Sequence, residues 1–169
     1  MMNKPFVAIL MGSDSDLPVM EASFEILKKF DIPFEVKVTS AHRTPAATHS
    51  FVTDADSRGC AAFICAAGMA AHLAGAVSAT TLKPVIGVPI NGSLDGLDAL
   101  LSTVQMPGGI PVATVAIGKA GAKNAAYLAA QIIGVADPEM HQKLVAERAA
   151  NAEAIIAKDA ALQEKLKNS

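Results

Sequence analysis

Three side chains that are able to bind an anion and move a proton stand together in the segment SAHRTP, at residues 40–45. Ser40 supplies a hydroxyl, His42 an imidazole and Arg43 a guanidinium. The planar fork of an arginine binds phosphate, and an imidazole with an ordinary pKa of about 6.5 gives and takes protons at neutral pH. The segment therefore predicts a site that grips an anion and transfers a proton. The alternative is a helix cap with polar neighbours, since the Thr-Pro pair that follows is typical of a helix start.

A second polar group lies in the segment MGSDSDLP, at residues 11–18. Gly12 permits a tight bend, and Ser13 and Ser15 offer hydroxyls. Asp16 can cap the helix that follows or accept hydrogen bonds from ribose hydroxyls. Since the N–H groups at the start of a helix bind phosphate and Ser hydroxyls assist, this segment indicates a phosphate-binding site.

Asp14 and Asp16 also permit another interpretation, a magnesium site like that of phospho-receiver domains. Such domains place a further Asp after the third strand, whereas residues 66–68 here are Ala, Ala and Gly. There is no HExxH, paired CxxC or dense carboxylate cluster, so we expect no metal site. There is no Walker loop and no GxGxxG either, which argues against ATP and dinucleotides and for no cofactor.

The third segment, AAGMAAHLAG at residues 66–75, has His72 as its one titratable group. Small residues let backbone N–H groups approach a small ligand closely. His72 is therefore a candidate site residue, with a satisfied structural histidine as the alternative. His49 and His141 lie on predicted helix surfaces, and we expect them to be structural.

The elements that must position these segments alternate between strand and helix. Apolar runs predict strands at 5–11, 34–40, 61–67, 84–90 and 111–117. Helical spacing and caps predict helices at 18–30, 45–57, 70–81, 95–105 and 119–133. This alternation predicts an α/β domain with a parallel sheet. In such sheets ligands bind at the carboxyl ends of the strands, near a switch in strand order. If the order is flavodoxin-like, the first and third strands are neighbours and the three segments converge.

Composition limits the classes of partner. The chain has 169 residues, 51% hydrophobic and 18% charged, with a net charge of −2. This fits one domain, 1–169, and gives no basic field for nucleic acid. The uncharged stretch 59–82 is long enough to span a membrane, but its polar residues and glycines favour strand, turn and buried helix. With no signal sequence, we expect a cytoplasmic protein with no membrane partner. The apolar surplus suggests burial between subunits.

The two cysteines, Cys60 and Cys65, fall on one predicted strand. Because they are five residues apart, we expect them to point to opposite faces. They are therefore expected to be buried free thiols, with neither a disulfide nor a two-thiol metal site.

The C-terminal segment predicts a long helix over 137–167, outside a core of 5–134. Asp137 can cap it with Pro138 in its first turn. Apolar residues then recur at helical spacing, at Met140, Leu144, Val145, Ala149, Ala152, Ile155 and Ile156. At ~1.5 Å per residue such a helix is about 45 Å long. We expect it to pack on a neighbouring subunit; a frayed exposed tail is the alternative.

Several of these segments together resemble a known family. MGSDSD, SAHRTP, AAHL, GVP, VQMPGGIPV and AIGKAGAKNAAYLAAQI occur in the same order over residues 6–134. They resemble the N5-carboxyaminoimidazole ribonucleotide mutases of purine biosynthesis, the PurE family, class I. The resemblance implies a three-layer flavodoxin-like fold, a homo-octamer, and movement of a carboxylate from the exocyclic nitrogen of the substrate to ring carbon 4. It also implies that no ATP, metal or biotin is needed.

The resemblance assigns roles to positions of this chain. His42 matches the catalytic imidazole, which would protonate the carbamate nitrogen and later take the ring proton. The positions expected to bind the phosphoribosyl substrate, or to line a dry pocket that retains carbon dioxide, are Ser13, Asp16, Ser40, Arg43, Gly68, Ala71, His72 and Leu73.

Two further readings stay open. A related branch carboxylates aminoimidazole ribonucleotide directly but usually carries Lys where this chain has Arg43, which favours the mutase.

The family's third segment is commonly GAGGAAHLPG, so Ala66, Met69 and Ala74 depart from it. Met69 adds bulk where the carboxylate is expected. A non-catalytic phosphate-binding or nucleotide-binding module is the alternative from another class.

Overall fold

The strands of the computed structural model, which describes residues 4–168, all run parallel in one sheet. They are β1 (Phe6–Met11), β2 (Phe34–Val38), β3 (Cys60–Gly68), β4 (Val85–Ile90) and β5 (Ala113–Thr114). The helices are α1 (Leu17–Lys29), α2 (Pro45–Ser57), α3 (Leu73–Ser78), α4 (Leu97–Val104), α5 (Lys119–Gly134) and α6 (Pro138–Lys167), with a short 3-10 turn at Asp14–Asp16.

The strand order is β2-β1-β3-β4-β5, which is the flavodoxin-like order. β1 pairs with β2 on one side and with β3 on the other. The chain therefore winds outward in both directions from the line between β1 and β3. This confirms the predicted fold class and puts the switch in strand order where the three polar segments meet.

Helices cover both faces of the sheet and make a three-layer sandwich. On one face α1 and α5 bury an apolar cluster against the strands. The α5 side of it is built from small residues, Ala122, Ala125, Ala126, Ala129 and Ala130, all fully buried. On the other face α2 and α3 enclose a second cluster around Phe63. Close packing on both faces holds the strand ends rigid beneath the site.

Two glycines mark places where a side chain would not fit. A Cβ on Gly87 of β4 would collide with the Thr103 methyl of α4. A Cβ on Gly121 of α5 would overlap the Ala116 carbonyl. Both positions therefore allow helices to approach the sheet more closely than any larger residue permits.

Two predicted elements are half their expected length or less. The strand predicted at 111–117 is only Ala113–Thr114. Pro89 of the neighbouring β4 has no N–H to donate, so regular pairing beyond this point loses a hydrogen bond. The helix predicted at 70–81 is only Leu73–Ser78, because Met69 has a left-handed backbone (φ 53°) and the next residues form a turn.

The uncharged stretch 59–82 becomes β3, this turn and α3, as the sequence indicated. Among the described residues, no helix is both long and apolar enough to cross a membrane.

Cys60 and Cys65 are buried free thiols, but the prediction that they face opposite sides of the sheet was wrong. Both belong to the cluster on the α2 and α3 face. The pairing of β1 with β3 shifts register between Phe6 and Val7, which face Cys60 and Ala62. This irregularity adds one residue to β3 and returns both cysteines to the same face. Burial raises the pKa of the Cys60 thiol to about 11.

α6 begins as predicted and then leaves the rest of the chain. The Asp137 side chain accepts hydrogen bonds from the N–H groups of Glu139 and Met140, which caps the helix. Met140 is buried, and Glu147 bonds to Lys29 and Tyr127. Every described residue from Arg148 onward is exposed. The apolar stripe of α6 therefore has little to pack on within its own chain.

Candidate active site

A crevice of about 700 Å³ opens at the carboxyl ends of the strands. It is lined by all three polar segments of the sequence and by the residues that follow β4. The predicted site residues that line it are Ser13, Asp16, Ser40, His42, Arg43, Gly68, His72 and Leu73. Ala71 of the third segment is buried and does not line it. His49 and His141 also lie outside it.

The first segment forms a hydrogen-bonded turn between β1 and α1. The Ser13 hydroxyl accepts hydrogen bonds from the Ser15 N–H (3.2 Å) and the Ser15 hydroxyl (2.8 Å). The Ser13 N–H donates to an Asp16 carboxylate oxygen at 3.3 Å. These bonds fix the Ser13 hydroxyl at the crevice wall. It can bind a ligand there once the hydrogen bond from the Ser15 hydroxyl is broken.

Asp16 is the buried charge of this turn, only 7% exposed. Its carboxylate takes part in the turn through Ser13 and makes no cap of its own on α1. Burial raises the pKa of the Asp16 carboxyl, the Ser13 N–H opposes the shift, and nearby Asp14 adds to it. A ligand hydroxyl that donates a hydrogen bond to a buried carboxylate stabilises its charged form.

The second segment, between β2 and α2, is held by bonds within itself. The Ser40 hydroxyl accepts from the Arg43 N–H at 3.1 Å. The Thr44 hydroxyl accepts from the Ser40 N–H at 2.9 Å, so Thr44 closes the turn and does not cap α2 with its side chain. His42 and Arg43 stand exposed at the tip. Among the described residues the Arg43 guanidinium makes no ion pair, which leaves its donors available to an anion.

The third segment brings a second imidazole to the first. The Nε2 atom of His42 lies 2.8 Å from the Nδ1 atom of His72. The two rings meet edge to face, with centroids 5.0 Å apart. In a neutral pair one nitrogen must donate and the other accept, so each ring constrains the tautomer of its partner. His72 therefore lies in the crevice in direct contact with His42.

Small residues of the third segment make the apolar wall of the crevice. Gly68 ends β3, and Ala67 and Ala70 also line the wall. Met69 stands 63% exposed at the same wall. The left-handed backbone of Met69 is one that glycine adopts without steric cost.

The sequence analysis missed the segment after β4. Asn91, Gly92 and Ser93 also line the crevice. The signal was present, because a polar segment after a buried strand of a parallel sheet belongs to the same edge as the others. Asn91 and Ser93 add an amide and a hydroxyl that a polar ligand can use.

Metal-ligating side chains do not gather in a cluster within the described part of the chain. Among residues 4–168, no group of three or more His, Cys, Asp or Glu side chains is placed to hold a metal ion. What the crevice offers is one free guanidinium, a hydroxyl-rich turn at the start of a helix, and a hydrogen-bonded pair of imidazoles. The fold and site define an α/β protein of flavodoxin-like topology with a polar crevice suited to an anionic ligand and a proton transfer.

Comparison with known proteins is consistent with this class. The AIR carboxylase family model matches residues 6–154. The chain is 53% identical over 161 residues to the N5-carboxyaminoimidazole ribonucleotide mutase of Mycobacterium tuberculosis (strain ATCC 25618 / H37Rv), covering 95% of this chain and 91% of that one. It is 58% identical over 137 residues to the phosphoribosylaminoimidazole carboxylase of Ogataea methanolica, covering 80% of this chain but 25% of that larger protein.

Solved structures agree on the fold. The crystal structure of Treponema denticola PurE superposes with a TM-score of 0.85 at 33% identity, covering 94% of this chain and 98% of that one. The chain therefore belongs to the AIR carboxylase family.

Proposed function

We propose that this chain is an N5-carboxyaminoimidazole ribonucleotide mutase that works by decarboxylation and recarboxylation, with His42 as the proton shuttle. The single observation that carries the proposal is the contact between His42 and His72, which places a constrained imidazole in the same crevice as the unpaired Arg43. Mutase is also the name of the relative from Mycobacterium tuberculosis, whose similarity extends over nearly the whole of this chain.

The binding step uses the first two segments. The Arg43 guanidinium and the hydroxyls of Ser13 and Ser40 bind the phosphoribosyl end of the substrate. The Asp16 carboxylate accepts hydrogen bonds from ribose hydroxyls. Both interactions fix the imidazole ring of the substrate over the wall formed by the third segment.

The chemical steps balance with one proton moved in each direction. His42 donates a proton to the carbamate nitrogen, the C–N bond breaks, and carbon dioxide and aminoimidazole ribonucleotide form. Carbon 4 of the ring then attacks the carbon dioxide, and His42 takes the proton that carbon 4 loses. His42 returns to its starting state, and the reaction needs no ATP, metal or other cofactor.

Carbon dioxide must stay in the crevice between the two chemical steps. Gly68, Ala70 and Leu73 present small or apolar surface beside the histidines, which keeps competing water away. Met69 is part of the same wall. We propose that its side chain narrows the opening through which carbon dioxide would escape.

The experiment that tests this mechanism replaces His42 by Asn. The His42→Asn variant is expected to bind substrate but to turn it over about 10²–10⁴-fold more slowly, the usual value of a positioned acid–base group. The His49→Asn variant is the matched control, since it removes an exposed histidine of α2 outside the crevice. Unchanged turnover in His42→Asn would refute the proton shuttle. Absence of turnover in the unsubstituted protein itself would favour a non-catalytic binding module.

The second candidate activity is direct carboxylation of aminoimidazole ribonucleotide. The name of the Ogataea methanolica relative favours it, although this chain spans about a quarter of that protein. The two activities differ in the substrate consumed, so parallel assays with each substrate separate them.

We also propose that the protein assembles into a homo-oligomer, with the octamer as the expected size. α4 exposes an apolar stripe, which includes Leu97, Leu101 and Val104. The outer half of α6 exposes Ile155 (64%) and Ile156 (68%). Apolar stripes of this kind are typical of helices that pack on a neighbouring subunit. Light scattering is expected to report an assembly of several subunits, and a stable monomer would refute this part of the proposal.

A cytoplasmic location completes the proposal. The two free, buried thiols fit a reducing compartment, where disulfides are rare.

A further inference from the structure

One hydroxyl from outside the crevice holds the third segment in place. The Ala71 N–H donates to the Ser102 Oγ atom of α4 at 2.9 Å. The same oxygen lies 3.2 Å from the Met69 carbonyl oxygen, to which it can donate. Its single proton can go instead to the Asp98 carbonyl at 2.7 Å, but accepting from Ala71 does not depend on that choice. Ser102 therefore ties the Ala71 end of the turn 69–71 to α4 whichever carbonyl takes its proton, and it also bonds to the Met69 end when the proton goes there.

That turn needs an outside tie because its backbone is strained. Met69 has a φ of 53°, in the left-handed region that costs a residue with a side chain roughly 1–2 kcal/mol. Such conformations persist where the surroundings enforce them. Ala71 is 2% exposed, and its N–H donates to no backbone carbonyl among the described residues. Loss of the Ser102 hydroxyl would leave a buried donor unpaired and free Met69 to relax.

The turn leads directly into the imidazole pair. The His72 N–H donates to the Ala70 carbonyl at 2.9 Å, so the His72 backbone moves with the turn. The His72 ring is bonded in turn to His42. We propose that Ser102 is a positioning residue of the active site, which sets His42 through Met69, Ala71 and His72. This inference rests on the proposed function, because the pair matters only if His42 transfers a proton.

Two substitutions at Ser102 and one elsewhere make the test. Ser102→Ala removes the hydroxyl, and Ser102→Thr keeps it. Ser23→Ala is the matched control, because Ser23 is fully buried and donates to the Ala122 carbonyl, between α1 and α5 and outside the crevice. All three are assayed well below their melting temperatures, so that loss of stability does not enter kcat.

Ser102→Ala is expected to lower kcat about ten- to a hundredfold, as small misplacements of catalytic groups do, with a smaller change in KM. Ser102→Thr is expected to restore most of kcat, and Ser23→Ala to leave it unchanged. The loss should shrink in the Met69→Gly background, because glycine holds the left-handed conformation without a tie. An unchanged kcat in Ser102→Ala, or an equal loss in both backgrounds, would overturn the proposal.

A further measurement separates this inference from the proposed function. Amide hydrogen exchange of Ala71 and the imidazole ¹⁵N shifts of His42 and His72 report the turn whether or not the protein turns over the mutase substrate. Faster exchange and shifted imidazole signals in Ser102→Ala are expected. Unchanged exchange and shifts would refute the tie even if the unsubstituted protein proved inactive, whereas that inactivity alone would count against the proposed function.

Discussion

The two histidines of the crevice are carried by turns that are held in different ways. The turn of residues 40–44 is closed by its own serine and threonine, through bonds that span three or four residues. The turn of residues 69–71 is held by Ser102, about thirty residues further along the chain. The conformation of turn 40–44 therefore depends on local sequence, whereas that of turn 69–71 depends on how α4 packs against β4. A short polar segment can therefore hold its own conformation, whereas a turn of small residues depends on hydrogen bonds from a neighbouring helix.

The largest expected effect separates the self-held turn from the side chain that it presents. The Arg43 guanidinium takes no part in closing the turn, since only the Arg43 N–H does. Arg43→Ala is expected to raise KM about ten- to a hundredfold, the value of a lost hydrogen bond to a charged group, with the melting temperature unchanged. Steady-state kinetics and thermal unfolding check both parts.

Arg148→Ala, outside the crevice, is the control for loss of a positive charge. An unchanged KM in Arg43→Ala would remove the anion-binding role of this arginine. A large fall in melting temperature would show that its side chain supports the turn after all.

The next prediction breaks the self-held turn itself. Thr44→Val removes the hydroxyl that bonds to both the N–H and the carbonyl of Ser40. We expect a loss of about 1–2 kcal/mol in the free energy of unfolding, together with reduced turnover, since the Ser40 N–H loses its partner while the Ser40 carbonyl keeps the Thr44 N–H. Denaturant unfolding measures the first effect. Thr53→Val, which removes an exposed hydroxyl of α2, should change stability by no more than about 0.5 kcal/mol. Equal effects of the two substitutions on stability would show that the Thr44 hydroxyl does not stabilise the turn of residues 40–44.

A smaller effect, of opposite sign, tests the borrowed turn. Met69→Gly is expected to stabilise the protein by about 1 kcal/mol, because the left-handed backbone no longer costs energy. The neighbouring Ala70→Gly is the control, and it should destabilise by about 0.5–1 kcal/mol, since Ala70 is not in the left-handed region. If both glycines destabilise, Met69 is not strained and the need for an outside tie disappears.

The smallest expected effect concerns Asp16 in the first turn. Burial raises the pKa of its carboxyl above the ordinary value of 3.8, so the folded protein binds this proton more tightly than the unfolded chain. Burying the ionised Asp16 carboxylate lowers the free energy of unfolding. This loss is absent at a pH below the carboxyl pKa of the unfolded chain and complete at a pH above the pKa in the folded protein. Stability of Asp16→Asn relative to the unsubstituted protein should therefore rise with pH through that window. Unfolding midpoints at low and neutral pH check this, and a difference independent of pH would contradict the burial of the charge.

The sequence predicted most of what depends on local patterns. Apolar runs predicted β1, β3 and β4, and Asp137 predicted the start of α6. The rule that ligands bind at strand ends predicted that the segments around Ser13, His42 and His72 would meet.

What the sequence could not predict depends on distant partners. The end of β5 is decided by Pro89 on the neighbouring strand, and the common face of Cys60 and Cys65 by a register shift against β1. The late start of α3 follows the turn at Met69, whose Ala71 N–H bonds to Ser102 of α4. In each case local propensity favoured another answer, and packing between remote segments overrode it. Asn91 and Ser93 are different, since the strand-end rule extends to β4 and would have found them.

A turnover assay on the purified protein, without ATP or added metal, tests the proposed mutase activity directly. One sample receives N5-carboxyaminoimidazole ribonucleotide, and a parallel sample receives aminoimidazole ribonucleotide with bicarbonate. The proposed mutase predicts rapid formation of the carbon-carboxylated product from the first substrate only. Efficient product from the second substrate only would contradict it in favour of direct carboxylation, and no product from either would contradict any carboxylate transfer in this crevice.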